Sequence, residues 1–302
     1  MFSNGTLSYR NTNMVKLELA HKNFIKNLED KSRSESTVIA YKKDIEQLID
    51  HLYKAGVNDA SEIKLNHLET FMKNLAEKNY TNKSISRKTN STKTFFRFLI
   101  AEGHIEENVA DNLKHPKVEI KAPRILSRLE YGALRDAAKE DARTFAIIEV
   151  LLQTGVRISE LSKIKTEHVE MEDEGKLFVP KMGRHEARTI PLNKAATEAI
   201  KRYLEDRPQI ENSVHLFITK TGNPLLVRNI RATLSRFFDR AGVEDATVND
   251  LRHTFVAFHL SQGTSLLTVS KIAGHKRVST TERYLDHIER KSDEEKQELG
   301  IL

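Results

Sequence analysis

Two prolines, Pro116 and Pro123, interrupt a chain whose flanks are otherwise patterned for helices, and this break limits the fold more than any other feature. Proline removes a backbone donor and disfavours helical geometry in the residue before it, so no single helix crosses the stretch. Residues 114–124, with lysines and a glutamate beside the prolines, therefore read as a linker between two domains. A chain of 302 residues, 38% of them hydrophobic, has material for two ordinary cores.

Before the break the periodicity is helical throughout. Leu17, Phe24, Ile25 and Leu28 form one apolar stripe. Tyr41, Ile45, Leu48, Ile49 and Leu52 form another, behind the cap-like Ser34-Glu35-Ser36-Thr37. Leu68, Phe71, Met72 and Leu75 make a third, and a fourth carries Ile85, Phe95, Phe96, Phe98 and Leu99. Residues 14–113 thus read as a small all-helical domain, preceded by a flexible tail at 1–13 that lacks periodicity.

After the break, Ser127-Arg128-Leu129-Glu130 is a capping box that opens a second domain over 125–288. Helices are expected to about Thr154, a strand-rich patch from Lys176 to Pro191, and helices again from about Asn193. The expected fold class is mainly α with a small β-sheet, in two domains.

Composition excludes several classes. With no cysteine, disulfides, thiolate zinc sites and cysteine nucleophiles are ruled out. No apolar run approaches the ~20 residues of a membrane span, and the polar start is no signal peptide, so the chain is expected in the cytoplasm. Lys plus Arg number 49 against 43 for Asp plus Glu, a basic excess that suits nucleic acid and also many ordinary enzymes. One window sharpens it. Lys83, Arg87, Lys88, Lys93 and Arg97 lie among serines and threonines with no acidic residue between Thr81 and Phe98. Cations and hydroxyls on one helix are what phosphate contacts require, although a solvated helix face has the same look.

The chemistry concentrates in the second domain. In Thr154-Gly155-Val156-Arg157-Ile158-Ser159-Glu160-Leu161 an arginine follows a glycine turn, and Glu160 lies one helical turn on to hold its guanidinium. Val248-Asn249-Asp250-Leu251-Arg252-His253-Thr254-Phe255 supplies a second arginine. His275 and Tyr284 then stand nine positions apart in Ala273 to Tyr284. Alone, Tyr284 reads more readily as a packed helix residue. Two guanidiniums on one phosphate, however, neutralise the charge that develops in phosphoryl transfer, and a tyrosine beside them becomes a candidate nucleophile.

In these boxes the sequence resembles the tyrosine recombinase (phage integrase) family, in its Xer-like branch, over roughly residues 15 to 290. The matching motifs are Thr154 to Leu161, Leu251-Arg252-His253-Thr254-Phe255, and Gly274-His275 followed by Thr280-Thr281 and Tyr284. The resemblance implies a helical, SAM-like core-binding domain and a mixed α/β catalytic domain closing as a C-shaped clamp on double-stranded DNA. It implies no cofactor and no metal. Tyr284 would attack a phosphodiester and leave a 3′-phosphotyrosyl bond and a free 5′-hydroxyl. Arg157 and Arg252 would clamp the non-bridging oxygens, His275 would hydrogen-bond the phosphate, and Glu160 would orient the site. Lys181, on the expected hairpin, would protonate the leaving oxygen. The charged tail 289–302 would dock in trans, giving a homotetramer on two recombination sites. The implied activity is site-specific DNA recombination, with resolution of dimers or of transposon cointegrates favoured because the two-domain length leaves no room for an arm-binding domain. A non-catalytic DNA-binding protein on the same scaffold and a type IB topoisomerase are the alternatives.

One position departs from the family pattern: Asn249 stands where a histidine is usual, three residues before Arg252. An amide donates a hydrogen bond to a phosphate oxygen but does not shuttle a proton at neutral pH. Activity is therefore expected to persist with some loss at this step. Asn249→His should raise the single-turnover rate of DNA cleavage, and an unchanged rate would show that position 249 moves no proton in this chain.

Overall fold

The helices begin where side chains satisfy their free N–H groups. In the computed structural model, which describes residues 15–119, 121–172, 175–211 and 213–288, Ser34 accepts from the Thr37 amide at the start of α2 (Glu35–Lys54). Thr81 accepts from Ser84 at the start of α4 (Asn82–Ala101). With α1 (Leu17–Asp30) and α3 (Leu65–Glu77) these four helices make the first of two compact units, which divide after residue 120. The expected tails at 1–13 and 289–302 lie outside the described residues.

The four apolar stripes converge on one core. Leu17, Phe24, Leu48, Leu52, Leu68, Phe95, Phe96 and Leu99 are fully buried in it. Phe24 meets Phe95 edge-on with ring centroids 5.2 Å apart. Burying each such side chain contributes about 2 kcal/mol, so the unit holds together on apolar area. It also contains one charged knot. Asp44 of α2, buried, accepts from Lys88 Nζ at 2.8 Å, from the Arg87 guanidinium and from Ser91 Oγ at 3.1 Å. Lys88, only 4% exposed, also donates to Gln47.

The second unit is organised around α6 (Ala142–Thr154), which is buried on nearly every face, against α5 (Arg128–Ala138), α8 (Lys194–Asp206) and α10 (Val248–Ser261). A helix apolar all round belongs at the centre of a domain. The Ser127–Glu130 capping box opens α5, and Asn193 caps α8. Three antiparallel strands, β1 (Val169–Glu170), β2 (Lys176–Val179) and β3 (Arg188–Pro191), form the sheet in that order. Leu177 pairs with Ile190 and Val179 with Arg188, placing these four side chains on the inner face. Strand β1 was not legible beforehand, because two residues carry no alternation. The chain completes the unit with α7 (Ile158–Leu161), α9 (Val227–Arg240), α11 (Leu266–Ala273) and α12 (Ser279–Glu282). The fold is mainly helical with one small antiparallel sheet.

Gly155 joins this core to the chemistry. It ends α6 at φ +60, where a β-carbon would lie 2.3 Å from the Phe255 ring. Only glycine both adopts that left-handed geometry without cost and lets the turn press onto α10.

Removing the carboxylate of the charged knot leaves Lys88 buried without a counter-charge. Asp44→Ala should destabilise the first unit by about 3–5 kcal/mol, measured as a lowered urea midpoint by far-UV circular dichroism. An unchanged midpoint would mean that the knot contributes no net stability.

Candidate active site

Arg157 follows the Gly155 turn and caps the single-turn helix α7, whose third residue is Glu160. That spacing returns the Glu160 carboxylate to the start of its own helix, where Oε2 accepts from the Arg157 backbone amide at 2.8 Å. Oε1 accepts from Arg157 Nη1 at 3.1 Å. Arg188, at the start of β3, grips the same carboxylate with both Nη atoms, at 3.0 and 2.8 Å. Glu160 is fully enclosed. Burial alone would push its carboxyl up, but the Arg188 fork, the Arg157 amide and the two positive charges outweigh this and hold it down at about 2.

The same guanidiniums reach the end of α11. Arg157 donates to the Ala273 carbonyl at 3.3 Å and the Gly274 carbonyl at 2.7 Å, and Arg188 Nε donates to Ile272 at 2.7 Å. These are carbonyls that the last turn of a helix leaves without intrahelical partners, at its negative end. Gly274 turns the chain at φ +67, and a β-carbon there would meet the Arg188 guanidinium at 2.7 Å. The turn delivers His275, whose Nδ1 pairs with the buried Thr281 hydroxyl at 2.7 Å. Burial, then the charges of Arg252, Arg157 and Arg188, push this imidazole down to about 3. It is therefore neutral across the working range.

Arg252 enters from α10 with only 8% of its surface exposed. Nη1 donates to the Gly155 carbonyl, while Nη2 is buried and has no hydrogen-bond partner among the described residues. Burial, with Arg157 next, pushes the guanidinium down to about 9, which still leaves it charged at neutral pH. Tyr284 lies at 6% exposure in the same core. Burial raises its phenol and Arg252 draws it back down. Three guanidiniums around one carboxylate, with a buried donor left open, make a pocket that an anion completes.

The structure thus brings Arg157, Glu160, Arg252, His275 and Tyr284 together. It does not bring in Lys181, which is exposed on the β2–β3 hairpin with Nζ 3.2 Å from the Glu186 carboxylate. The hairpin residue that feels the cluster is His185, pushed down by burial and then by Arg157. Asn249 is exposed and lines a cleft with Ile158, Arg231 and Thr247. Sequence reasoning passed over Arg188. Its signal was an arginine on the same strand face as the apolar Ile190, a register in which a charge must find a buried partner.

The basic window divides as well. Lys83 and Arg97 are exposed, Arg87 is half-exposed but tied to Asp44, and Lys93 donates to the Asp111 carbonyl at 3.1 Å. Lys88 is a correction: it points inward into the Asp44 knot, because a buried carboxylate on α2 needed a cation and Lys88 lies on the inner side of α4.

The model of the phage integrase family matches residues 121–291, and that of the phage integrase N-terminal SAM-like domain matches residues 22–103. The chain belongs to the phage integrase family. It is 31% identical over 278 residues to the tyrosine recombinase XerC of Staphylococcus saprophyticus, over 90% of this chain and 92% of the relative. Its fold is similar to that of the Tn1549 transposon integrase in complex with a circular intermediate DNA (TM-score 0.72, 18% identity, 88% of this chain and 94% of that one). It is also similar to that of a lambda integrase tetramer bound to a Holliday junction (TM-score 0.73, 20% identity, 92% and 83%). This integrase-family chain is accordingly a tyrosine recombinase, a site-specific enzyme that cleaves and rejoins DNA strands. The bare DNA-binding scaffold and the topoisomerase are not favoured.

The Glu160 network has a pH signature. Its folded carboxyl, at about 2, lies below the ordinary value of 4.5, so its stabilisation is present above the ordinary value and fades as pH falls towards 2. The shift corresponds to about 3 kcal/mol. Between pH 5 and pH 3 the wild type should lose more unfolding free energy than Glu160→Gln, which is less stable at pH 5. Parallel pH curves for the two proteins would refute the assignment.

Proposed function

We propose that Tyr284 is the nucleophile of this recombinase and that the guanidinium cluster is its phosphate seat. The phenolic oxygen attacks phosphorus, the bond to the 5′-oxygen breaks, and a 3′-phosphotyrosyl link conserves the energy of the phosphodiester. Arg157 and Arg252 then hold the two non-bridging oxygens, with the open Nη2 of Arg252 as the observation that carries the reading. Neutral His275 donates a hydrogen bond to a phosphate oxygen. Glu160, gripped by Arg188, keeps Arg157 aimed. Lys181 delivers the proton to the leaving 5′-oxygen after leaving Glu186. Asn249 keeps at most a hydrogen-bonding role there.

The two regions divide the work: residues 14–113 bind the recombination site with Lys83, Arg87, Lys93 and Arg97 nearest the phosphates, and 125–288 carry the chemistry. Double-stranded DNA is the partner. The working assembly is a homotetramer on two sites, a reading supported by the tetrameric lambda integrase neighbour. The reaction resolves dimers or cointegrates in the cytoplasm. No described helix is long and apolar enough to cross a membrane.

A nicked suicide duplex, built on the sequence that the protein itself selects from random DNA, tests the central claim. Wild type should form a covalent protein–DNA adduct and Tyr284→Phe none, while both bind the duplex equally. Arg252→Ala should slow adduct formation by roughly 100- to 1,000-fold. An adduct formed by Tyr284→Phe would dismiss Tyr284 as nucleophile.

A further inference from the structure

The proton that leaves Tyr284 needs an acceptor, and the obvious candidates are closed. Asn249 is an amide. His275 has Nδ1 engaged with Thr281 and sits among three guanidiniums that oppose a further positive charge. Arg157, Arg188 and Arg252 are cations, and Glu160 is held by two of them.

One imidazole faces the tyrosine instead. The rings of His253 and Tyr284 meet edge to face at 76°, with centroids 5.9 Å apart. His253 follows Arg252 on α10, so the helix that supplies a phosphate clamp also points the next side chain at the nucleophile. On its other side, His253 Nδ1 lies 3.4 Å from Asp250 Oδ1, near but without the alignment of a hydrogen bond. Asp250 is itself anchored: it accepts from the Thr247 amide at 2.7 Å and the Thr247 hydroxyl at 2.9 Å, closing the capping box of α10. Although burial opposes its charge, its carboxyl stays below the ordinary range, with His253 the foremost stabilising partner. Asp250, His253 and Tyr284 thus place a carboxylate and the ring of the nucleophile candidate on two sides of one imidazole.

Resting on the reading of Tyr284 as nucleophile, we propose that His253 is the catalytic base that takes the Tyr284 proton and that Asp250 is its positioning residue. With Nδ1 on the Asp250 side, Nε2 is the ring atom left to receive a proton. As Tyr284 Oη bonds to phosphorus, its proton passes to Nε2, the bond from phosphorus to the 5′-oxygen breaks, and that oxygen takes the proton supplied by Lys181. In rejoining, the 5′-hydroxyl returns its proton to the Lys181 amine as it attacks phosphorus, the phosphotyrosyl bond breaks, and the imidazolium gives its proton back to Tyr284. The carboxylate stabilises the imidazolium, as in hydrolases that pair a hydroxyl with a histidine and a carboxylate. The chain thereby supplies, one helical turn further on, a base that position 249 lacks.

The test is single-turnover adduct formation on the same selected suicide duplex. His253→Ala and His253→Gln should each slow cleavage by about 100-fold or more, with DNA affinity and far-UV circular dichroism unchanged. Sulfur in place of the bridging 5′-oxygen, which removes the need for a leaving-group acid, should not restore the rate. Placing 3-fluorotyrosine, a more acidic phenol, at position 284 should narrow the gap between His253→Ala and the parent, which a purely structural defect would not do. Wild-type cleavage by His253→Ala overturns the proposal, as does full rescue by the bridging sulfur, which would make His253 the acid. A gap that fluorotyrosine leaves unchanged overturns it too. Absence of any adduct with the wild-type protein is a different failure, that of Tyr284 as nucleophile.

Discussion

The Glu160 carboxylate is the interaction on which the second unit's chemistry rests. It gathers Arg157 and Arg188 at hydrogen-bonding distance, and both guanidiniums then close on the carbonyl end of α11. One buried anion thus ties together the turn after α6, the first residue of β3 and the turn that carries His275. Cations crowded around a site repel one another, and a single carboxylate offsets only part of that repulsion. Burial, with that remainder behind it, keeps His275 neutral, and Arg252 keeps a buried donor with no hydrogen-bond partner among the described residues. A buried donor among three cations makes a pocket that suits an anion.

The cost of that arrangement is met by packing nearby. Arg252 and Tyr284 are both held in the apolar core of α6, α10 and their neighbours, where movement is restricted. Gly155 and Gly274 allow close approach at the two turns, one against Phe255 and the other against Arg188. The first unit contains an analogous knot, again a buried carboxylate among cations. There a buried aspartate, Asp44, collects Arg87 and Lys88 from the facing helix, and Lys88 is withdrawn from the surface.

These two buried carboxylates also mark where sequence reasoning worked and where it did not. The helical stripes around Phe24, Leu48, Leu68 and Phe95, the caps at Ser34 and Ser127, and the strand patch near Lys176 to Pro191 are local patterns, and the structure contains them. The arginine boxes were legible because residue type and order together carry chemistry. Lys88 and Arg188 were not, since both look like surface cations until the fold shows the carboxylate opposite each of them. Lys181 fits the hairpin by position, but its ammonium faces Glu186.

From the amino-acid order alone came the helical class, the two-part division at the prolines, the family, and the short list of Arg157, Glu160, Arg252, His275 and Tyr284. These follow from local spacing and from side-chain chemistry, which need no partner to be recognised. The tertiary structure decided which charges neutralise which: Arg188 with Glu160 and Lys88 with Asp44. Such pairings join residues from different helices and strands, and Coulomb and hydrogen-bond energies depend on distances that no linear spacing encodes.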